Sequence, residues 1–174
     1  MPLWSFEGKS PVVHPSAFIA ATAVLVGDVT VEENASVWYN AVLRADFGPI
    51  VVRRGANVQD GAVVHVTRMH STEIGAGATV GHSCVIHGAT IAEEAVVGNS
   101  STVLDGARVG VRAMIAAGAL VTPGTDIPDG MLALGAPAKV KGPLAGTPAE
   151  RWVRANPSGY QALAQRHKAG VAPA

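Results

Sequence analysis

The chain has 174 residues, 13 Lys and Arg balanced by 13 Asp and Glu, and a single cysteine. That length has room for one domain. Zero net charge with no basic run lacks the footprint of a nucleic-acid binder, and no apolar run reaches membrane-spanning length.

The first segment, MPLWSFEGKS, has no signal-peptide core. One cysteine excludes an intrachain disulfide and suits a reducing cytoplasm, so a cytoplasmic protein is expected. Residues 1–18 read as an N-terminal cap strand, with His14 ahead of Pro15. From 19 to 135 an aliphatic residue recurs every six positions. The run is Ile19, Leu25, Val31, Val37, Leu43; then Val52, Val58, Val64 after a slip of three; then Ile74, Val80, Ile86 after a slip of four. One residue is then lost, and the run continues from Ile91 through Val97, Val103, Val109, Ile115 and Val121 to Ile127. A mostly small residue follows each anchor by four, as in Ala35, Ala62, Cys84 and Ala113.

An amphipathic helix needs apolar spacing of three and four, and a half-buried strand alternates by two. Period six fits neither. It fits hexapeptide repeats, three to a triangular coil, wound into a parallel β-helix whose core is the column of anchors. Segments such as VLVGDVTVEENASVWYNAVLRAD and VVGNSSTVLDGARVG resemble the left-handed β-helix proteins. The left hand is implied by that resemblance, since the general rule for parallel crossovers favours the right. The expected fold is an all-β solenoid, a left-handed parallel β-helix, with a C-terminal α-helix.

The repeat ends near IPDGMLALGAPAKV, where Gly and Pro break the coil. Residues 136–174 read as linker, helix and tail. Thr147 with Glu150 matches a capping box and Pro148 suits the first helical position. Pro157 should kink or split the helix. Trp152, Leu163 and Ala164 are expected to pack it along the prism.

Removing the slips stacks Leu43, Val64 and Ile86 on one edge of consecutive coils. The residues after them, Arg44, His65 and His87, should then point outward from one face, about 4.8 Å apart per rung. Val37, Val58, Val80 and Val97 form a second column, two residues ahead of Tyr39, Asp60, His82 and Asn99. His82 therefore belongs to a different face from His65 and His87, and one chain does not close a three-histidine site. In a cyclic homotrimer, His82 of one chain would face His65 and His87 of its neighbour, and Arg44 and Asp60 would pair across the same seam. Such a pair fixes register more than it adds stability. Three imidazoles suit zinc, with iron, cobalt or nickel as alternatives. They leave a position open for water, whose pKa falls to about 7.

LRADFGPI, NVQDGAVVHV and VGHSCVIHG resemble the γ-class carbonic anhydrases, among their short bacterial homologues, over nearly the whole chain. The resemblance implies that His65, His82 and His87 are metal ligands between subunits of a trimer. It implies that Arg44 and Asp60 form the intersubunit ion pair, that Gln59 lies near the metal-bound water, and that Asp46 belongs to the motif. Tyr160 resembles a family tyrosine that approaches the site from the helix. Asn99 is placed beside the metal by the column arithmetic. The expected catalytic set is thus Gln59, Asn99 and Tyr160. The segment FGPIV after Asp46 carries no glutamate to shuttle protons, which departs from the archetypal enzyme.

The expected function is hydration of carbon dioxide to bicarbonate through a metal-bound hydroxide at the trimer interface. Three alternatives stand beside it: a metal-dependent ester or acyl-CoA thioester hydrolase, an acyltransferase using a histidine base, and a non-catalytic trimeric scaffold. Several residues also have plainer readings. Arg44 and Asp60 read equally as trimer contacts, Gln59 as a polar surface residue and Tyr160 as a packing residue. Cys84 reads as core, His70 as a solvated loop residue and His167 as a solvated tail residue.

Overall fold

The computed structural model describes residues 3–172. The hexad anchors from Ile19 to Ile127 are all buried, and so are the small residues four places after them from Ala23 to Ala119 that the repeat singled out, Ser101 and Cys84 included. Each anchor is worth roughly 1.5–3 kcal/mol when removed from water. Because they stack in columns, the core is continuous along the solenoid axis.

One wall is an eight-stranded sheet running from Phe18–Ile19 to Lys139–Pro143. A twelve-stranded sheet supplies the rest. It is joined through the long strand Val42–Val52, whose first part pairs with Val63–His65 and whose last part pairs with Thr72–Ile74. The slips fall where they leave the columns intact. The three-residue slip is taken up inside Val42–Val52, and the four-residue slip in the turn after His65, closed by the Thr67 N–H donating to His70 O at 3.0 Å. Val37, Val58, Val80 and Val97 are consequently in register, as are Leu43, Val64 and Ile86. The pairings along the coils are parallel until Met131–Leu134 meets Lys139–Pro143 antiparallel and ends the repeat.

At the other end, Leu3–Trp4 and Val12–Val13 both add in parallel to Val24–Val31. The cap is thus two short strands separated by a turn at Phe6–Lys9, rather than one.

The helix spans Pro148–Gly170 without a break. Thr147 caps it, accepting from the Glu150 N–H at 3.3 Å, while the Glu150 carboxylate takes the Gly146 N–H at 2.8 Å instead of closing the box on Thr147. Of the kink or split expected at Pro157, the split does not occur. Both halves are docked: Val153 and Ala164 are buried, Asn156 bonds Thr79, and Gln161 bonds Gly55 O. Trp152 is 46% exposed and does not pack the helix; Val153 does. The docked positions Val153, Asn156, Tyr160, Ala164 and His167 recur every three or four residues, so the buried stripe lies one residue beyond the tryptophan.

Candidate metal centre

Strand register builds the centre. Arg44, His65 and His87 are successive Cα partners on three neighbouring strands, Val42–Val52, Val63–His65 and Val85–His87. His65 Nδ1 and His87 Nε2 face each other at 3.0 Å. The other nitrogen of each ring meets a carboxylate: His65 Nε2 to Asp46 Oδ1 at 2.8 Å, and His87 Nδ1 to Asp105 Oδ1 at 2.9 Å. Arg44 in turn bonds the second oxygen of Asp46. Burial alone would raise the Asp46 carboxyl; the hydrogen bond from His65 and the charge of Arg44 outweigh it and hold the group below the usual carboxylate value.

His82 stands on the other column. Its Nδ1 meets Asp60 Oδ2 at 2.9 Å, and Asn99 Oδ1 accepts from its backbone N–H at 3.2 Å. The rung order Asp60, His82, Asn99 is therefore made of real contacts. Gly81 permits it, since a Cβ there would come within 2.6 Å of Asn99 Oδ1. Among the described residues of one chain, no three His, Cys, Asp or Glu side chains converge as a metal-binding group.

The described side chains fit a metal ion in one respect that can be measured. A tetrahedral ion with metal–nitrogen distances near 2.0–2.1 Å holds two nitrogens about 3.3 Å apart. The His65–His87 pair needs to open only by a few tenths of an ångström from 3.0 Å. Each ring also has the carboxylate partner that orients a ligating imidazole.

Gln59 is not on the surface. It is 3% exposed, and its Nε2 donates to Asn57 Oδ1 at 3.0 Å. Tyr160 comes off the helix and packs edge-on against Trp38, with ring centroids 5.6 Å apart. Burial first, and then the negative charge of Asp60, push its phenol above the ordinary value. His167 is not a solvated tail residue; it lies in the helix, 3.1 Å from the Tyr39 hydroxyl, packed edge-on against Phe18 and Trp38 and tilted against Tyr39. Cys84 is core, as expected, with burial raising its thiol.

Sequence reading missed two residues here. Asp105 carried no signal, because its role depends on reaching back one coil. Phe47, 53% exposed, places its ring 6.1 Å from that of His65 and carries the Arg68 guanidinium 5.5 Å over its face. A groove of about 670 Å³ lies elsewhere, between the N-terminal cap and the end of the helix. Phe18, Ile19 and His167 line it, and none of the three site histidines does.

No family model matches the chain. It is 37% identical to the carnitine operon protein CaiE of Escherichia coli over 166 residues, covering 95% of this chain and 84% of that one. It is 40% identical over 168 residues to the mitochondrial gamma carbonic anhydrase 1 of Arabidopsis thaliana. The chain belongs to the γ-carbonic anhydrase/CaiE-like hexapeptide family. The match covers 92% of this chain but 60% of the Arabidopsis protein, so the chain spans less than two thirds of that relative. A solved member, a hexapeptide transferase family protein from Anaplasma phagocytophilum, superposes with a TM-score of 0.90 at 39% identity, covering 94% of this chain and 96% of that one. The family likeness thus runs along nearly the whole chain. No described helix is long and apolar enough to cross a membrane.

Proposed function

We propose that the protein is a metal-dependent enzyme of the carbonic anhydrase type, hydrating carbon dioxide to bicarbonate between the chains of a homotrimer. The observation that carries this reading is the facing pair of imidazole nitrogens, His65 Nδ1 and His87 Nε2, each ring backed by a carboxylate. His82 of a neighbouring chain supplies the third ligand, with Asp60 backing its Nδ1. Zinc suits the set, with iron or cobalt as alternatives. When bound, the ion supplies Lewis acidity that makes a nucleophile available from water near neutral pH.

The chain's own residues supply the rest. Buried Gln59 offers an amide held by Asn57, suited to hydrogen-bonding a reacting oxygen beside the ligands. Asn99, bound to the backbone beside His82, holds that ligand's turn. Tyr160 keeps its proton well above neutral pH and offers a donor from the helix. Phe47 places an apolar ring beside His65.

The test is metal content of protein purified without air, followed by stopped-flow hydration. About one ion per chain is expected, with hydration above buffer, and both fall together in His82→Ala and His87→Ala. Full occupancy with no hydration removes this function. The absence of a glutamate from the strand at Phe47–Val51 gives one rival its standing. Ester or acyl-CoA thioester turnover that is lost in His87→Ala would install hydrolysis at the same ligands. Stable metal-free trimers of unchanged fold would point to a scaffold, and acyl transfer surviving metal removal to an acyltransferase.

A further inference from the structure

The geometry points to Asp105 as a positioning residue that fixes the protonation pattern of the His87 ring. This inference rests on the metal-site reading above and deepens it, since the carboxylate behind His87 is one of that reading's supports. His87 presents Nε2 to His65 at 3.0 Å and Nδ1 to Asp105 Oδ1 at 2.9 Å. A carboxylate only accepts, so this contact is satisfied when the proton sits on Nδ1. Nε2 then keeps its lone pair, on the side where His65 stands. A proton on Nε2 would block that lone pair and turn the Nδ1 lone pair toward a negative oxygen.

The contact is built into the corner of the coil. Ile86 and Val103 are Cα partners, so Asp105 belongs to the next coil and its side chain reaches back one rung. The path runs over Gly88. That residue has φ +57°, where side chains are disfavoured. A Cβ on it would come within 2.6 Å of Asp105 Oδ1 and 3.0 Å of His70 Cβ. The next corner down is tied on by the Gly106 N–H donating to Gly88 O at 2.7 Å. There a Cβ on Gly106 would meet the His70 ring at 3.2 Å. Two glycines therefore clear the crossing, and His70 lies over both. His70 is thus an exposed loop residue, as expected, whose side chain lies on the Asp105 side of the site.

A merely structural Asp105 would form a part-exposed contact that adds little, and its loss would leave the ring proton where it was. The test separates the two. Long-range nitrogen–proton NMR correlations of the metal-free protein, above the pH at which the imidazoles are neutral, report which ring nitrogen of His87 carries hydrogen. Nδ1–H is expected in the wild type. A mixture or the Nε2–H form is expected in Asp105→Ala, with Asp105→Asn in between because its amide oxygen still accepts. Zinc affinity, measured by competition with a chromophoric chelator, should fall about 10–100-fold in Asp105→Ala and less in Asp105→Asn, with circular dichroism unchanged. An Nε2–H wild type, or a His87 tautomer unmoved by Asp105→Ala, would overturn the proposal. Should the wild type show Nδ1–H yet take up no metal, Asp105 keeps its role and it is the metal reading that fails.

Discussion

Gln59 shows how much of the site is set by side chains that never touch a ligand. Its amide is buried, and so are Asn57 at 0% and Thr79 at 1% exposure. Gln59 donates to Asn57, Asn57 donates to Thr79 Oγ1 at 2.8 Å, and Asn156 of the helix donates to the same hydroxyl oxygen at 2.5 Å. A buried amide stripped of its partner costs about 1–3 kcal/mol. Asn57→Ala should therefore lower the unfolding free energy by about that amount in urea titrations and loosen the Gln59 side chain. A loss below about 0.5 kcal/mol would mean that water replaces the lost acceptor. The sequence marked Gln59 through its motif, yet its burial was not legible there. A polar residue just after an inward anchor reads as outward. What covers this one is a helix roughly a hundred positions later in the chain, and no local pattern announces where that helix docks. His167 was misread for the same reason: its partners Phe18, Trp38 and Tyr39 lie at the opposite end of the sequence.

At the scale of strands, the outer surface is held in register by charge as well as by hydrogen bonding. Arg53 Nε donates to Glu73 at 2.9 Å and its Nη1 donates to Glu32 at 2.8 Å, so one guanidinium ties three consecutive coils of one wall. The hydrogen bond from Arg53 is the largest influence on Glu32; burial opposes it, but with the Arg54 N–H the carboxyl is held below its ordinary value of 4.5. A carboxyl depressed by folding stabilises the fold above its unfolded pKa, and that contribution disappears as pH falls through the lower, folded value. Urea midpoints of the wild type should thus decline more steeply below pH 4.5 than those of Arg53→Gln. The gap between them at neutral pH should be small, about 0.2–1 kcal/mol for part-exposed pairs. Parallel pH curves would show that the ladder adds nothing. The columns that carry this ladder were legible from the period alone, because a six-residue repeat leaves its anchors one position each and the slips of three and four are counted directly. The continuous helix was not. Proline costs a helix its N–H and crowds the preceding turn, and only the docked contacts on both sides of Pro157 explain why the strand-facing stripe carries on through it.

For the whole molecule the question is whether one chain is the working unit. Val63 is 41% and Val85 36% exposed on the strands that end in His65 and His87, and Phe47 stands beside them at 53%. Apolar groups clustered on one face mark an interaction surface more often than an open one, and here they flank two ligand candidates whose third partner lies on another wall. Arg44 and Asp60 would be the charged contacts of that interface. Neither is used up within its own chain. Arg44 has five N–H donors and bonds Asp46 through one nitrogen, with its side chain 48% exposed. Asp60 gives one oxygen to His82 and is 41% exposed, and its second oxygen has no partner among the described residues. Each can make its intrachain contact and still reach a neighbour. If they meet, Arg44→Ala and Asp60→Asn should each weaken self-association, measured by sedimentation equilibrium, by about 2 kcal/mol, because truncating one partner removes the cross-chain contact and leaves the other only its intrachain pairing. The double variant should then be little worse than either single one, a coupling that distant, independent sites do not show. Additive losses would place the two residues on separate contacts. Unchanged assembly in all three variants would show that the seam does not run through Arg44 and Asp60.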